Sequence, residues 1–421
     1  MVKFEAAIVT CPGFEDLAAK ELQELISAKA AAAAVGIVTF QIKELSELCR
    51  LCYLSQSASS VIFLLSEFEI DKSAARTFDN LRSGIANSEL EKWFSKDATF
   101  KVVFEAVGGS NPASGSDSDL YGLPSSEIEA EIGSSVIAAM KAKVGAAPKV
   151  DLKSPSVTIA VLASGSKGFC GVMLNPFDLG KREYRVFSHS SDVKGTLAYL
   201  LLRASGYSPA QFLLDPFTKS GTIAIEAAQF SSGFPVNYYR KDALSSSFCR
   251  LPPYSKINFS DFFAAAEKEA AVAATKRAKK AKPKILASSS SMQYLRAAEK
   301  NAKIAGVNKL IRFSRLDIEW LDAKLDEGVV DLVVSNPPQF RSVSGNDSFA
   351  IADNKRLSAL YKSLFYHADF FLKKKGRIVL LLKKGNQEPI TAAAAAYKFK
   401  PESLKEFRLG AEEFEIVSFS K

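Results

Sequence analysis

Histidine, tryptophan and methionine are scarce in this chain: its 421 residues include two, two and four of them. His189 and His367 are too few and too far apart in sequence to make a histidine-built metal centre or a nucleophile–histidine–acid triad, so no metal is expected. The five cysteines, Cys11, Cys49, Cys52, Cys170 and Cys249, form an odd and scattered set, which argues against a disulfide framework. Cys49-Arg-Leu-Cys52 has the spacing of a zinc half-site. It lies inside the helical pattern Leu45–Leu54 with no matching pair elsewhere, and reads instead as two buried thiols. No apolar run is long enough to cross a bilayer, and the start Met-Val-Lys-Phe-Glu does not read as a signal peptide, so a cytoplasmic protein is expected. Acid is also in short supply: 46 Asp+Glu against 55 Lys+Arg leave a formal charge of +9 and a pI near 9.1. That balance suits a polyanionic partner, although charge alone describes a soluble basic protein equally well.

At 47% hydrophobic and 24% charged residues, the chain is long enough for two or three domains, each with its own core. Residues 1–97 alternate strand and helix: Phe4–Val9, a helix near Glu15 to Ala28, Gly36–Ile42, a second helix, then Val61–Leu65. The pattern predicts a ferredoxin-like α+β domain, with Ala30–Ala34 as helix end or loop. Residues 98–185 read as a second α+β unit. It has a strand at Phe100–Phe104, a Gly/Ser/Asp-rich loop through Tyr121, a helix over Ser125–Lys143, and Val150–Pro155 followed by the strand Ser156–Leu162. Residues 186–421 show the alternation of a doubly wound α/β sheet and end in a predicted hairpin, Phe407–Phe419.

Two stretches of this last module carry chemistry. Asp215-Pro-Phe-Thr-Lys-Ser-Gly-Thr222 follows the apolar run Phe212–Leu214 and opens the helical pattern Ile223–Ala228. A strand ending in an acid, a tight loop of small residues and a helix N-terminus make a nucleotide cradle: loop N–H groups and the positive end of the helix dipole meet the ligand, and the acid accepts hydrogen bonds from it. Taken singly, a strand ending in Asp-Pro is equally compatible with a plain turn. Downstream, Asn336-Pro337-Pro338 ends the apolar run Val329–Ser335, which reads as a buried parallel strand. The prolines stiffen the loop and leave carbonyls without competing N–H groups. An exocyclic amino nitrogen needs that arrangement, because the Asn oxygen and a proline carbonyl accept its two hydrogens and aim its lone pair at a methyl donor.

Together the motifs resemble those of the S-adenosylmethionine-dependent amino methyltransferases, D-P-F-C-G-S-G-T and N-P-P-Y. Residues 99 to about 180 resemble the THUMP RNA-binding domain, most tellingly in Val150-Asp-Leu-Lys-Ser-Pro155 followed by a strand. Leu179-Gly-Lys-Arg-Glu-Tyr-Arg185 resembles the L-x-K-R-G-Y-R connector between such a domain and a methyltransferase, with Glu183 in place of glycine. The resemblance implies a Rossmann-like class I methyltransferase fold with a C-terminal hairpin, preceded by a ferredoxin-like/THUMP region. The activity it implies is methylation of guanine N2 in transfer RNA or, as second choice, ribosomal RNA, with S-adenosylmethionine as cofactor. It places Asp215, Phe217, Ser220, Gly221, Thr222, Ser289 and Asp317 at the cofactor. Asn336, Pro337, Pro338 and Phe340 fall at the target base, and Lys181, Arg182, Tyr184 and Arg185 along the RNA. No membrane is implied, and oligomeric state is not legible.

Three positions depart from the family pattern. Ser289 stands where relatives have an acid for the cofactor ribose; losing two charge-assisted hydrogen bonds weakens binding by about 10²-fold. Lys219 replaces a glycine, where it either pairs with the cofactor carboxylate or fills the pocket and repels the sulfonium. Gln339 replaces the aromatic residue that stacks on the flipped base, a contact worth about 1–3 kcal/mol unless Phe340 takes its place. The alternative to an enzyme is therefore a noncatalytic RNA binder that kept the fold and lost the cofactor. A dinucleotide-dependent dehydrogenase is disfavoured, since the loop lacks G-x-G-x-x-G. The cations of Lys276–Lys284 either attract phosphates or form a solvated helix end, with the second reading preferred.

Overall fold

The computed structural model describes residues 4–108, 120–279, 282–340, 348–410 and 412–421. The Gly/Ser/Asp-rich loop expected after Phe104 falls mostly outside them, as does part of the Lys276–Lys284 run. Two compact units are present: Met1–Lys181 with Pro235–Ala266, and Arg182–Phe234 with Glu267–Lys421.

The first unit opens β1 (Phe4–Val9), α1 (Glu15–Ile26), β2 (Ala30–Ala34), β3 (Ile37–Ile42), α2 (Ser46–Leu54) and β4 (Ser60–Glu69). These strands pair antiparallel in the order β2-β3-β1-β4, a ferredoxin-like arrangement. β1 lies between two neighbours and has Ala6–Val9 buried in succession, as a strand covered on both faces requires. The alanine run is a strand, which corrects the expectation of helix end or loop. Alanine is a poor strand former, but the edge of β3 supplies a backbone ladder from Ala30↔Phe40 to Ala34↔Ile37 that overrides propensity.

The chain continues through α3 (Ala74–Asn87), β5 (Thr99–Ala106), α4 (Ser125–Val144), β6 (Lys149–Val150), β7 (Val157–Ser164) and β8 (Lys167–Met173). β8 pairs with β4 from Ile62↔Met173 to Glu69↔Lys167, so all eight strands form one sheet, β2-β3-β1-β4-β8-β7-β5-β6. The boundary expected at 97/98 therefore does not divide the sheet. An alternating pattern shows that a strand exists, but not which edge it will satisfy. Glu21 is buried with no basic partner among the described residues. Its oxygens accept from Ser55 Oγ (2.7 Å), Gln56 N (2.9 Å), Ser57 N (3.1 Å) and Ser57 Oγ. Cys49 and Cys52 are buried free thiols, and burial raises the pKa of both.

The second unit begins with α5 (Gly195–Ala204), β9 (Phe212–Asp215) and α6 (Thr222–Ser232). The chain then makes an excursion counted with the first unit, through α7 (Lys241–Phe248) and the first part of α8 (Phe259–Arg277). There Asn237 Nδ2 donates to Cys52 O (2.8 Å), Tyr254 OH to Leu45 O (3.2 Å), and Phe263 packs on Tyr53 with ring centroids 4.6 Å apart. The second unit resumes with β10 (Lys284–Ser289), α9 (Met292–Ile304), β11 (Ile311–Arg315), β12 (Val330–Ser335), α10 (Ser348–Phe371), β13 (Leu372–Lys383), α11 (Gln387–Ala395), β14 (Lys400–Leu409) and β15 (Glu412–Ser420).

Its seven strands run β11-β10-β9-β12-β13-β15-β14. The first five are parallel, and β15 pairs antiparallel with both β13 and β14. This is the expected class I methyltransferase order with its closing hairpin. From β9 the connections step outward one way to β10 and β11 and the other way to β12 and β13, which leaves a crevice at the C-terminal ends of β9 and β12. Leu214, Val333, Ile378 and Leu380 pack below it against Tyr361, Phe365 and Phe371 of α10.

Candidate active site

The two motifs read from sequence end on adjacent strands. β9 and β12 pair directly, Leu213↔Leu332 and Leu214↔Val333, so Asp215 and Asn336 project from neighbouring strand ends. Ser335, just before Asn336, donates its hydroxyl to Asp215 Oδ1, while Asp215 Oδ2 accepts from Thr218 Oγ1 (2.7 Å). Burial raises the pKa of Asp215; these bonds, the Phe217 N–H and nearby Lys219 pull it back down.

The loop between them is tied to the sheet. Thr218 N donates to Ser288 O (3.0 Å), Ser220 and Thr222 are buried with their hydroxyls 3.2 Å apart, and Phe217 packs on the core near Tyr361. Gly221 takes φ +84°, and a Cβ there would come within 2.9 Å of Ala298 Cβ on α9, so the position requires glycine on two counts. Lys219 is not among the residues with positive φ, so replacing the family's glycine there imposes no left-handed backbone strain. Burial lowers its pKa, opposed by Asp192 and Asp215.

Ser289 is buried at the end of β10, and Asp317 is exposed beyond β11, its Oδ1 accepting from Ile318 N (2.8 Å). Gln339 is pinned: it donates to Pro337 O (2.9 Å) and Leu381 O (3.0 Å), and accepts from Lys383 N (3.0 Å) and Asn386 Nδ2 (3.1 Å). Phe340 stacks on Tyr361, centroids 5.6 Å apart. Tyr361 OH in turn donates to Pro338 O (2.6 Å).

Sequence reasoning missed the segment before α5. The carbonyl of Ser191 accepts from Asn336 Nδ2 (2.9 Å) and Lys219 Nζ (3.3 Å), and Asp192 Oδ1 accepts from Ser220 N (3.3 Å). This backbone spans the crevice and engages the Asn336 amide. Buried Asn301 on α9 anchors it, donating to Phe187 O (2.9 Å) and Ser220 O (3.0 Å) and accepting from Phe187 N (3.0 Å). Main-chain contacts of this kind leave no side-chain pattern to detect.

The connector also departs from expectation. Arg182 and Tyr184 do not line a groove: they are buried, with Arg182 Nε (2.8 Å) and Tyr184 OH (2.8 Å) both bonded to Glu226 Oε1 of α6. A guanidinium and phenol meet a carboxylate sealed inside the unit, so the apparent basic stripe closes a core. Lys181 is exposed, and Arg185 is half-buried with its Nε lacking a hydrogen-bond partner among the described residues.

A mostly parallel sheet of this order, with an acid and an Asn-Pro-Pro turn at its switch point, defines a class I methyltransferase domain. Residues 182–410 match the RMKL-like methyltransferase domain, more than half of the chain, and the protein belongs to that family. Residues 75–172 match the THUMP domain, which thus takes in α3 as well as the strands expected of it. The chain is 24% identical over 330 residues to a tRNA (guanine(6)-N2)-methyltransferase of Methanocaldococcus jannaschii, covering 78% of this chain and 77% of that one. It is 30% identical over 218 residues to the ribosomal RNA large subunit methyltransferase K/L of Vibrio parahaemolyticus, covering 49% of this chain and 30% of that protein. Among solved structures, SMU.472 complexed with SAH superposes with TM-score 0.74 at 17% identity, over 100% of this chain and 99% of that one. TrmN from Thermus thermophilus gives 0.64 at 22%, over 99% of both chains. These two likenesses are of fold.

Proposed function

We propose that this protein transfers a methyl group from S-adenosylmethionine to the exocyclic N2 of a guanine in RNA, with transfer RNA the preferred substrate and ribosomal RNA the second. One observation carries the reading: Asn336 and Asp215 leave paired parallel strands at the switch point, joined through the Ser335 hydroxyl. The residues fit such a donor. Successive strand ends offer Asp215, Ser289 and Asp317 as acceptors for its ammonium, ribose and adenine amino groups respectively, and the α6 N-terminus suits its carboxylate. When bound, the cofactor supplies an electrophilic methyl group. Asn336 Oδ1 and the Pro337 carbonyl accept the two amino hydrogens and fix the nitrogen for in-line attack, while Asn336 Nδ2 keeps its bond to the Ser191 carbonyl and holds the amide in place. The THUMP region of the first unit would hold the RNA by its backbone and shape.

The relatives named above, one acting on tRNA guanine N2 and one on ribosomal RNA, support the substrate class. A noncatalytic RNA binder is favoured by the pinned Gln339, whose side chain is held by backbone and by Asn386 rather than presented to a base. Calorimetric titration with S-adenosylmethionine, followed by assay of N2-methylguanosine in unmodified tRNA and rRNA, separates the two. Micromolar binding abolished by Asp215→Ala, together with the modified nucleoside, supports the enzyme. Absence of heat at millimolar cofactor while RNA still binds would sink it.

A further inference from the structure

Beside the crevice, between Phe187–His189, Lys219–Ser220 and the first turns of α9, lies a cavity of about 450 Å³. Its charged lining consists of Lys219, Arg296 and Lys300, with no carboxylate among the described residues that face it. The nearby acid Asp192 is already bonded to the N–H groups of His189 (2.6 Å) and Ser220 (3.3 Å). Met292 and Gln293 bring the N-terminus of the 13-residue helix α9 to the same space, adding its positive dipole end. Aromatic surface is present too: Phe187 is 39% exposed with Lys300 Nζ 4.8 Å from its ring centroid, and Tyr294 OH lies 3.0 Å from His189 Nε2.

The single carboxylate of S-adenosylmethionine is outweighed by its ammonium and sulfonium, so a cluster of three cations suits a phosphate better than the whole cofactor. The volume falls within the range of about 300–1,000 Å³ typical of small-ligand sites. Lys219 also binds the carbonyl that holds Asn336, so the cavity adjoins the amide. We propose that it binds a phosphorylated nucleotide of the RNA substrate next to the target guanosine, with the phosphate among Lys219, Arg296 and Lys300 and the base against Phe187. The proposal rests on the function given above and names a second, anionic subsite for it.

Titration of the full chain with 5′-GMP, guanosine and inorganic phosphate tests this, using wild type and the Arg296→Ala/Lys300→Ala double variant, whose altered residues are exposed and outside the Asn336 and Asp215 motifs. 5′-GMP is expected to bind at least tenfold more tightly than guanosine or phosphate alone, and the double variant to lose about tenfold for 5′-GMP. The log–log salt slope for RNA binding should also become shallower by about 0.7 for each phosphate contact removed. Equal binding of 5′-GMP and guanosine, an unchanged double variant, or competitive displacement of 5′-GMP by S-adenosylhomocysteine would overturn the subsite. S-adenosylmethionine affinity, measured separately, is expected to be unchanged in the double variant. Failure of wild type to bind S-adenosylmethionine refutes the methyltransferase reading while leaving the 5′-GMP result to stand or fall alone.

Discussion

Each unit buries a glutamate, and the two are neutralised in opposite ways. Among the described residues, Glu21 in the first is held by hydroxyl and amide donors of the turn after α2, whereas Glu226 in the second meets Arg182 and Tyr184 with both ion-pair side chains fully enclosed. The first arrangement fixes a turn at the edge of a platform. The second clamps the chain entering the unit to α6, the helix that the Asp215 loop opens, so the geometry of the site depends on a charge pair with no access to water. A basic connector thus contributes to the methyltransferase unit through its interior.

Removing one member of the enclosed pair should have the largest effect. Arg182→Ala is expected to cost about 3–5 kcal/mol, read as lost hydrogen-exchange protection in β9 and α6. Unchanged protection there would refute the clamp. Next, Asn336→Ala should lower methyl transfer about 10²–10³-fold while cofactor affinity and exchange protection stay as in wild type. Loss of protection instead would give Asn336 a structural role. Glu21→Ala, which strands four donors, should cost about 1–3 kcal/mol, seen by exchange in α1 and α2 alone. A cost equal to that of Arg182→Ala would erase the contrast between the two carboxylates.

The smallest effects concern pH. Lys219 has a lowered pKa, so the unfolded chain holds its proton more tightly, and stability rises with pH until the unfolded lysine also deprotonates. Lys219→Met should flatten that alkaline rise in thermal melts of the second unit. Asp215, raised by burial, acts in the opposite sense: its contribution is present below the unfolded carboxylate range and is lost as pH rises through the folded value. Asp215→Asn should therefore melt no lower than wild type at neutral pH while binding cofactor less well. A variant that melts lower would show that the carboxylate's hydrogen bonds outweigh its desolvation.

The second unit's fold was legible because β9, β10 and β12 are short apolar runs bounded by turn residues, and their ends carry the chemistry. The placement of Asp215 beside Asn336 followed from topology alone. What stayed hidden was tertiary. Ala30–Ala34 has no strand signal apart from its partner, the union of two α+β modules depends on which strand β8 finds, and Arg182 looks like any exposed cation until Glu226 appears beneath it. The strapping by Ser191 is made by main-chain atoms, which are the same in every sequence.

The excursion Pro235–Ala266 has a consequence for biosynthesis. Tyr254 and Phe263 complete packing that begins at Leu45 and Tyr53, yet they are translated after β9 and α6. At about 5–20 residues per second, a nascent N-terminal half waits on the order of ten seconds beyond Lys181 for its last pieces. A gene cut at Lys181 would release a polypeptide with the seats of those two rings open to solvent, and the halves of this protein are unlike beads that can be unstrung.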